Sequence, residues 1–302
     1  MDKVSAGYDQ LMRFWLDTAP ARGVVVRLEE SLTQAMQHHD YPDAVVALLR
    51  QLAGAAALLA SNLKQSAQVI LQAQGTGDVP LLCVEATDAL TFRLYASVRE
   101  GALIAPDASL HSLVAPDGEG RFILTISPTE GQIYQGIVAL SEGGVATLLE
   151  EYLTNSQQTE TRMWLRQDGD VMEAMLLERM PDSTDEATPA WNAVVAQAEH
   201  TFSEHFMPFP YSEWLQFTFA KHTVRVSPAQ AVKFACSCSI ERVLNALKLV
   251  GEAELQPLIE EQGKIETQCE FCGKAYEVSP ASFTELFRRN DALHPPGSQL
   301  LQ

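Results

Sequence analysis

The sequence predicts an α+β protein: an N-terminal domain of mixed sheet and helix over residues 1–180, a helical linker over 181–231, and a small C-terminal metal-binding domain over 232–302. Three observations support this division. Strand-like alternation of apolar and polar residues dominates the first part. A polar stretch bracketed by prolines follows it. Four of the five cysteines then lie beyond residue 232.

A long helix is expected near the start of the N-terminal domain. Asp40 is placed to cap it, and Pro42 lies near its first turn. Apolar residues then recur with helical spacing, so the helix should run towards Lys64. The residues of this stripe are Val45, Leu48, Leu49 and Leu52.

After this helix the pattern changes to the period of two that is typical of strands. Two strands around Val69 and Cys83 should pair as a hairpin through Gly75-Thr76-Gly77. Such alternation predicts an antiparallel sheet with one face in solvent. Further strands are expected at 90–98, 121–126, 133–140 and 162–165, with a helix over 145–153.

The predicted linker combines a helix with an unusually aromatic stretch. Trp191, Val194, Ala198 and Phe202 fall on one helical face, and aromatic residues are dense between 206 and 219. One interpretation is a helical segment packed on the sheet, and the other is a reversible cover whose release exposes apolar surface. Packing is favoured for the resting protein, and the two interpretations are compatible.

Charge and apolar patterning limit the location and the partners. The net charge is −18 and the pI is about 4.7, so nucleic acid and anionic membrane surfaces are poor partners. Charged residues interrupt Met1–Pro20, which therefore does not resemble a secretion signal. The longest apolar run, Ala44–Ala60, is expected to be too short to span a bilayer. We therefore expect a cytoplasmic protein that does not bind membranes.

The cysteines of the C-terminal part form two close pairs. Cys236-Ser237-Cys238 and Cys269-Glu270-Phe271-Cys272 are separated by 30 residues. Each pair can supply one edge of a tetrahedron, in which sulfurs bound to zinc lie roughly 3.8 Å apart. The sequence therefore predicts one Zn²⁺ held by Cys236, Cys238, Cys269 and Cys272.

Local signals around the pairs predict how they are held. Gly273 can take the positive φ on which a Cys-x-x-Cys turn ends, and strands should flank that turn at 265–268 and 275–278. Ser239 should cap a helix that ends before Gly251. Pro257 should split the next helix or mark its start.

Two interpretations of this cluster remain open. It could be a structural staple for a domain too small to fold alone. It could also be a sensor, because four thiolates without histidine give a site of formal charge −2 that is rich in oxidisable sulfur. The fifth cysteine, Cys83, is expected to be a buried apolar residue.

The chain resembles the redox-regulated holdase chaperones of bacteria, the heat-shock proteins named for a mass near 33 kDa. The resemblance covers nearly the whole chain, and the cysteine pattern is its most specific part. It is carried by Ser227-Pro228-Ala229-Gln230, by Phe234-Ala235-Cys236-Ser237-Cys238-Ser239 with Glu241-Arg242, by Cys269-Glu270-Phe271-Cys272-Gly273 with Tyr276, and in the first domain by His39-Asp40-Tyr41-Pro42, Leu63-Lys64, Gln72-Ala73-Gln74-Gly75 and Tyr134-Gln135-Gly136-Ile137-Val138. Ile240 departs from the pattern, since a basic residue is usual there, and Lys64-Gln65-Ser66 lacks the glycine often found in that run.

The resemblance implies an ATP-independent stress chaperone rather than an enzyme, with a C-terminal zinc-binding redox switch. The reduced, zinc-bound form would be inactive, and oxidation would release zinc with disulfides Cys236–Cys238 and Cys269–Cys272. The opened protein would hold unfolding client proteins, commonly as a homodimer. The candidate client-binding surface in the linker consists of Phe202, Phe206, Phe209, Trp214, Phe217 and Phe219.

Two rival functions agree less well with the sequence. A zinc ribbon that binds nucleic acid or ribosomes is disfavoured because the segment from Val232 onward has seven basic and ten acidic residues. A dithiol oxidoreductase using Cys269 and Cys272 would need those thiols free of metal in the resting protein.

Overall fold

The structure is a computed structural model that describes residues 9–63, 66–157, 159–180, 187–204 and 210–291. It divides into two compact units, Met1–Ala235 and Cys236–Gln302. The described helices of the predicted linker belong to the first unit, while residues 181–186 of the proline-bracketed stretch lie outside the described residues. The division into 1–180, 181–231 and 232–302 stays a prediction.

The first unit contains two sheets, here named sheet A and sheet B. Sheet A has the antiparallel order β10-β1-β2-β9-β8, and β11 also pairs with β1. Its strands are β1 (Gln10–Leu16), β2 (Ala21–Leu28), β8 (Thr161–Asp168), β9 (Val171–Arg179), β10 (Val224–Val226) and β11 (Gln230–Ala231). Five of these, β1, β2, β9, β10 and β11, were not predicted.

Sheet B has the order β12-β5-β4-β3-β6-β7 and is antiparallel except for its β12–β5 pair. Its strands are β3 (Ala67–Gln74), β4 (Leu81–Thr87), β5 (Thr91–Ser97), β6 (Arg121–Pro128), β7 (Tyr134–Ala139) and β12 (Lys233–Phe234). The predicted hairpin is the β3–β4 pair, in which Gln72 lies opposite Cys83. The strands predicted over 90–140 are confirmed as β5, β6 and β7.

Six helices accompany these sheets among the described residues of the first unit. They are α1 (Glu30–Met36), α2 (Asp43–Ala60), α3 (Leu110–Val114), α4 (Gly144–Gln157), α5 (Thr188–Glu204) and α6 (Tyr211–Thr218). The predicted long helix is α2. It begins one residue after Pro42, which occupies the N-cap position, and Asp40 does not cap it.

Helix α2 lies between the two sheets and forms the centre of the larger core. Its side chains pack with inward-facing residues of sheet A, such as Val26, and of sheet B, such as Leu71. The expectation that this run is too short for a membrane was wrong on length, because 18 residues rise about 27 Å. By length and composition α2 could cross a membrane, but 67% of it is buried inside the protein.

Sheet A is apolar on both faces, contrary to the expectation of one solvated face. Val24, Val26 and Leu176 face α2, whereas Phe14 and Met175 point to the opposite side. Helices α5 and α6 cover that second side and bury its residues. The near-continuous apolar runs of β2 and β9 therefore reflect burial on two faces rather than one.

An ion-pair cluster lies within this second interface. Glu173 of β9 is fully buried, and its carboxylate pairs with Arg27 of β2 at 3.0 Å and with Arg166 of β8 at 2.7 Å. Arg166 also donates to the main-chain carbonyl of Phe202 in α5 and lies 4.9 Å from the centre of that ring. The cluster thereby links three strands of sheet A to its covering helix.

The second unit is small and has a limited apolar core. Its elements are α7 (Ile240–Val250), α8 (Glu252–Gln262), β13 (Ile265–Gln268), β14 (Ala275–Val278) and α9 (Pro280–Asp291). The prediction that Pro257 splits a helix was wrong, because α8 continues through it. Leu255 and Ile259 pack into one core on either side of the proline, and this packing offsets the hydrogen bond that Pro257 removes.

Removing the charge of Glu173 should destabilise the first unit strongly. In Glu173→Gln a neutral amide would face two guanidinium groups, so the free energy of unfolding should fall by about 3 kcal/mol or more. Urea denaturation followed by tryptophan fluorescence measures this loss, because all four tryptophans lie in the first unit.

The matched control is Glu178→Gln on the same strand. Glu178 pairs with Arg22 at 2.8 Å, but the Arg22 side chain is 44% exposed, so the loss should stay below about 1 kcal/mol. Equal losses in the two variants would contradict a dominant role for the buried cluster.

Candidate metal centre

The structure brings the four predicted cysteines together in the second unit. Their sulfur atoms all lie within 4.8 Å of one another. The Cys236 and Cys269 sulfurs are 3.7 Å apart, and those of Cys238 and Cys272 are 3.6 Å apart. Within the described residues this is the one group of three or more side chains that could hold a metal ion.

Cys269 and Cys272 lie in a tight turn between β13 and β14. The amides of Cys272 and Gly273 both donate to the Cys269 carbonyl, and Gly273 has a φ of 67°. This confirms the positive φ expected at that glycine, which a residue with a Cβ rarely adopts. Strands β13 and β14 have the bounds that the sequence predicts. The hairpin thus presents two sulfurs from one turn.

Cys236 and Cys238 come from an irregular segment just before α7. Ser239 caps this helix as predicted, because its side chain accepts a hydrogen bond from the Arg242 amide. The Arg242 guanidinium donates to the Ser237 hydroxyl at 2.7 Å, between the two cysteines. The first turn of α7 therefore holds the Cys-x-Cys backbone in place.

Tyr276 of β14 reaches across to the other half of the cluster. Its hydroxyl donates to the Cys238 sulfur at 3.0 Å, and this hydrogen bond raises the pKa of Tyr276. In the sequence, Tyr276 is part of a family motif and has no predicted role of its own. Its position on a short strand next to a Cys-x-x-Cys turn is the signal that could have indicated a contact with the cluster.

The thiols differ in their electrostatic surroundings. Burial alone would raise the pKa of Cys238, but hydrogen bonds from Tyr276 and the neighbouring thiols lower it to about 7. Burial raises the pKa of Cys272 to about 12 and also raises that of Cys269, and their sulfur neighbours act in the same direction. Four thiolates this close together therefore require a positive counter-charge.

The donor set fits Zn²⁺. The sulfur separations of 3.6 and 3.7 Å agree with the roughly 3.8 Å expected around a tetrahedral zinc ion. Four thiolate ligands are typical of a closed structural zinc site, in which no position is left for a substrate. When bound, the ion would supply the counter-charge that lets all four thiols ionise.

The other predicted site residues have different positions. Phe202, Trp214 and Phe219 are buried between α5, α6 and sheet A, whereas Phe217 is 67% exposed. Phe206 and Phe209 lie outside the described residues. In the described structure three of these aromatic side chains are therefore packed rather than exposed. Cys83 is buried in β4, as expected, and burial raises the pKa of its thiol to about 12.

Comparison with known proteins gives the family. The family model described as Hsp33 protein matches residues 9–279. This chain belongs to the Hsp33 family. Its relatives include the 33 kDa chaperonin of Methylobacillus flagellatus, which is 37% identical over 92% of this chain and 94% of its own length. The 33 kDa chaperonin of Pseudomonas fluorescens is 36% identical, with coverages of 92% and 93%.

A solved structure supports the fold of this Hsp33 chain. The 33 kDa chaperonin of Thermotoga maritima, described as a heat shock protein 33 homolog, aligns with a TM-score of 0.74 and 19% identity. The alignment covers 94% of this chain and 99% of that one. The α+β class and the Hsp33 resemblance expected from the sequence are thus confirmed, and the family supports a chaperone role.

The reduced chain should bind one metal ion through these sulfurs. Zn²⁺ or Co²⁺ should bind with a stoichiometry of one per chain, and Cys272→Ser should weaken binding by at least about a hundredfold because it leaves three thiolates. Titration with Co²⁺, followed by thiolate-to-cobalt charge-transfer absorption, measures both quantities. Cys83→Ala is the matched control and should bind as the wild type does. An equal loss of binding in both variants would contradict this site.

Proposed function

We propose that this chain is a redox-regulated, ATP-independent holdase rather than an enzyme. The reduced form would hold Zn²⁺ on Cys236, Cys238, Cys269 and Cys272 and remain inactive. Oxidation of these cysteines would release the ion and unfold the second unit. The observation that carries the proposal is the four-sulfur cluster in a chain of the Hsp33 family.

The proposed oxidation yields one disulfide within each pair, Cys236–Cys238 and Cys269–Cys272. One thiolate attacks an oxygen of hydrogen peroxide, so an S–O bond forms, the O–O bond breaks and hydroxide leaves. The second thiolate attacks that sulfur, so the S–S bond forms and the S–O bond breaks with loss of a second hydroxide. Formation of each disulfide transfers two electrons to one peroxide, and the two hydroxides take up protons from the buffer to give water.

Loss of the cluster would have a large effect on the second unit. Among the described residues of this unit, six apolar side chains are buried in one core, too few to suggest a stable fold without further support. A structural zinc site contributes about 10 kcal/mol or more to folding in small domains. Disulfide formation removes the thiolates that bind the ion. Oxidation should therefore release the ion and unfold the second unit.

Client binding requires apolar surface that the resting fold covers. In the proposed active state α5 and α6 leave sheet A, which exposes Phe14 and Met175 on the sheet, Trp214 on α6 and Phe219 just after α6. These side chains are buried in the described structure. The exposed surface would hold unfolding proteins, and the oxidised chain would act as a homodimer. We place this function in the cytoplasm, without nucleic acid or membrane partners.

Peroxide together with mild heating should convert the protein from inactive to active. Zinc release, measured with a chromogenic chelator, should reach one ion per chain and coincide with the loss of four thiols. Suppression of aggregation of a heat-denatured enzyme, measured by light scattering, should appear on the same timescale. Adding a thiol reductant and Zn²⁺ without heating should reverse the change in thiols and metal.

One control variant and one contradicting outcome complete this test. Cys83→Ala should show the same zinc release and the same gain of activity, because Cys83 lies outside the cluster. Zinc release without any gain of aggregation suppression would overturn the holdase function and leave a structural metal site.

The covering helices should lose protection from hydrogen exchange on oxidation. Peptides from α5 and α6 should exchange rapidly in the oxidised protein, because their amides lose the packing on sheet A. Peptides from β3 and β6, at the centre of sheet B, serve as an internal control and should stay protected. Unchanged protection of α5 and α6 in an active, oxidised sample would exclude them as the moving cover.

A further inference from the structure

The Tyr276 hydroxyl links the two cysteine pairs of the cluster. Tyr276 lies in β14, opposite Thr267 of β13, and so belongs to the hairpin that carries Cys269 and Cys272. Its hydrogen bond, however, goes to the sulfur of Cys238, from the Cys-x-Cys half, at 3.0 Å. Because Cys238 and Cys272 are only 3.6 Å apart, the hydroxyl acts next to the junction between the two pairs.

The sulfurs of the hairpin have a different kind of donor. The Cys269 sulfur accepts from the main-chain amides of Phe271 and Cys272, and the Cys272 sulfur accepts from the amide of Lys274. These amides are part of the turn itself and move with it. The Tyr276 hydroxyl, in contrast, comes from a side chain that a single substitution can remove without altering the backbone.

A hydrogen bond to a thiolate changes its reactivity. The donor stabilises the sulfur lone pairs, which lowers the basicity of the thiolate and with it the nucleophilicity. Outer hydrogen bonds of this kind also orient metal-binding side chains and adjust their donor strength. Attack on peroxide uses a sulfur lone pair, so a hydroxyl that donates to that sulfur must slow the first step of oxidation.

We propose that Tyr276 is a positioning residue that restrains the oxidation of Cys238 and sets the threshold of the switch. This inference rests on the proposed function. The Tyr276 hydroxyl orients the Cys238 side chain towards the rest of the cluster. It also reduces the rate at which the Cys238 sulfur attacks an oxidant. The aromatic ring is itself held in place, with the Lys274 ammonium 5.2 Å from its centre.

Tyr276→Phe in the full-length, zinc-loaded protein tests this role. The variant keeps the ring and loses only the hydroxyl, so it should still bind one zinc ion per chain. Zinc release by peroxide should become roughly three- to tenfold faster. In the wild type the charge-assisted hydrogen bond to the Cys238 sulfur is partly lost in the transition state, and the variant does not have to lose it. In the cobalt-substituted protein, the thiolate-to-cobalt charge-transfer band should move to longer wavelength, because the sulfur lone pairs rise in energy.

A graded substitution distinguishes hydrogen bonding from packing. Site-specific 3-fluorotyrosine at position 276 provides a more acidic hydroxyl of almost the same size. It should slow zinc release and move the cobalt band to shorter wavelength, opposite to the effect of Tyr276→Phe. Tyr95→Phe makes the same chemical change in the first unit and should leave both readouts as in the wild type.

Three outcomes would overturn the inference. One is a Tyr276→Phe protein with the wild-type rate and cobalt spectrum, and another is shifts in the same direction for both substitutions at position 276. The third is loss of stoichiometric zinc in Tyr276→Phe, which would assign Tyr276 a structural role. In each case the proposed function stands as long as the wild-type chain releases its zinc and gains activity; a wild-type chain that fails to do so overturns the proposed function instead.

Discussion

The first unit depends on one constraint: sheet A carries apolar side chains on both faces and must be covered twice. Helix α2 and sheet B cover one face, and α5 with α6 cover the other. The two covers differ in kind. Helix α2 is enclosed between two sheets, whereas α5 and α6 lie on the outside of one sheet. A surface covered by a separable layer is suited to controlled exposure, since removing that layer leaves the central core intact.

The outer layer is held by polar as well as apolar contacts. Stacking of Phe14 on Phe219 and the edge contact of Phe202 with Trp214 are apolar. The Arg166 guanidinium, which pairs with the buried Glu173, also donates a hydrogen bond to the Phe202 carbonyl in α5. A buried charge cluster requires its partners to stay in place, because a broken pair leaves an uncompensated charge. This cluster therefore favours one defined position of α5 on sheet A, which apolar contacts alone would fix less strictly.

The second unit is stabilised in a different way from the first. Its apolar core is small, and the sulfur cluster joins a hairpin turn to the segment before α7. Bonds to a metal ion can replace the burial that a short chain lacks. In the proposed function the thiolates that hold the ion are also the groups that oxidants attack, so the stability of this unit and its chemistry would depend on the same four atoms. Tyr276 adds a side-chain control on one of them.

Local sequence signals predicted much of this protein. Helix α2, strands β3 to β7 of sheet B and the hairpin around Cys269 and Cys272 follow from periodicity and turn residues, which act over a few neighbouring positions. The four-cysteine cluster follows from spacing alone. Strands β1, β2 and β9 escaped prediction because burial on two faces replaces alternation with continuous apolar runs, and α8 continues through Pro257 because packing outweighs propensity.

What the sequence determined by itself was therefore the class of fold, the family and the four cysteines that cluster, since these depend on local pattern and residue type. Only the tertiary structure decided which aromatic side chains lie under the covering helices and that Glu173 ties β9 to Arg27 and Arg166. It alone placed Tyr276 on Cys238. Each of these contacts joins residues far apart in the chain or on different elements, and their distances depend on how the elements pack.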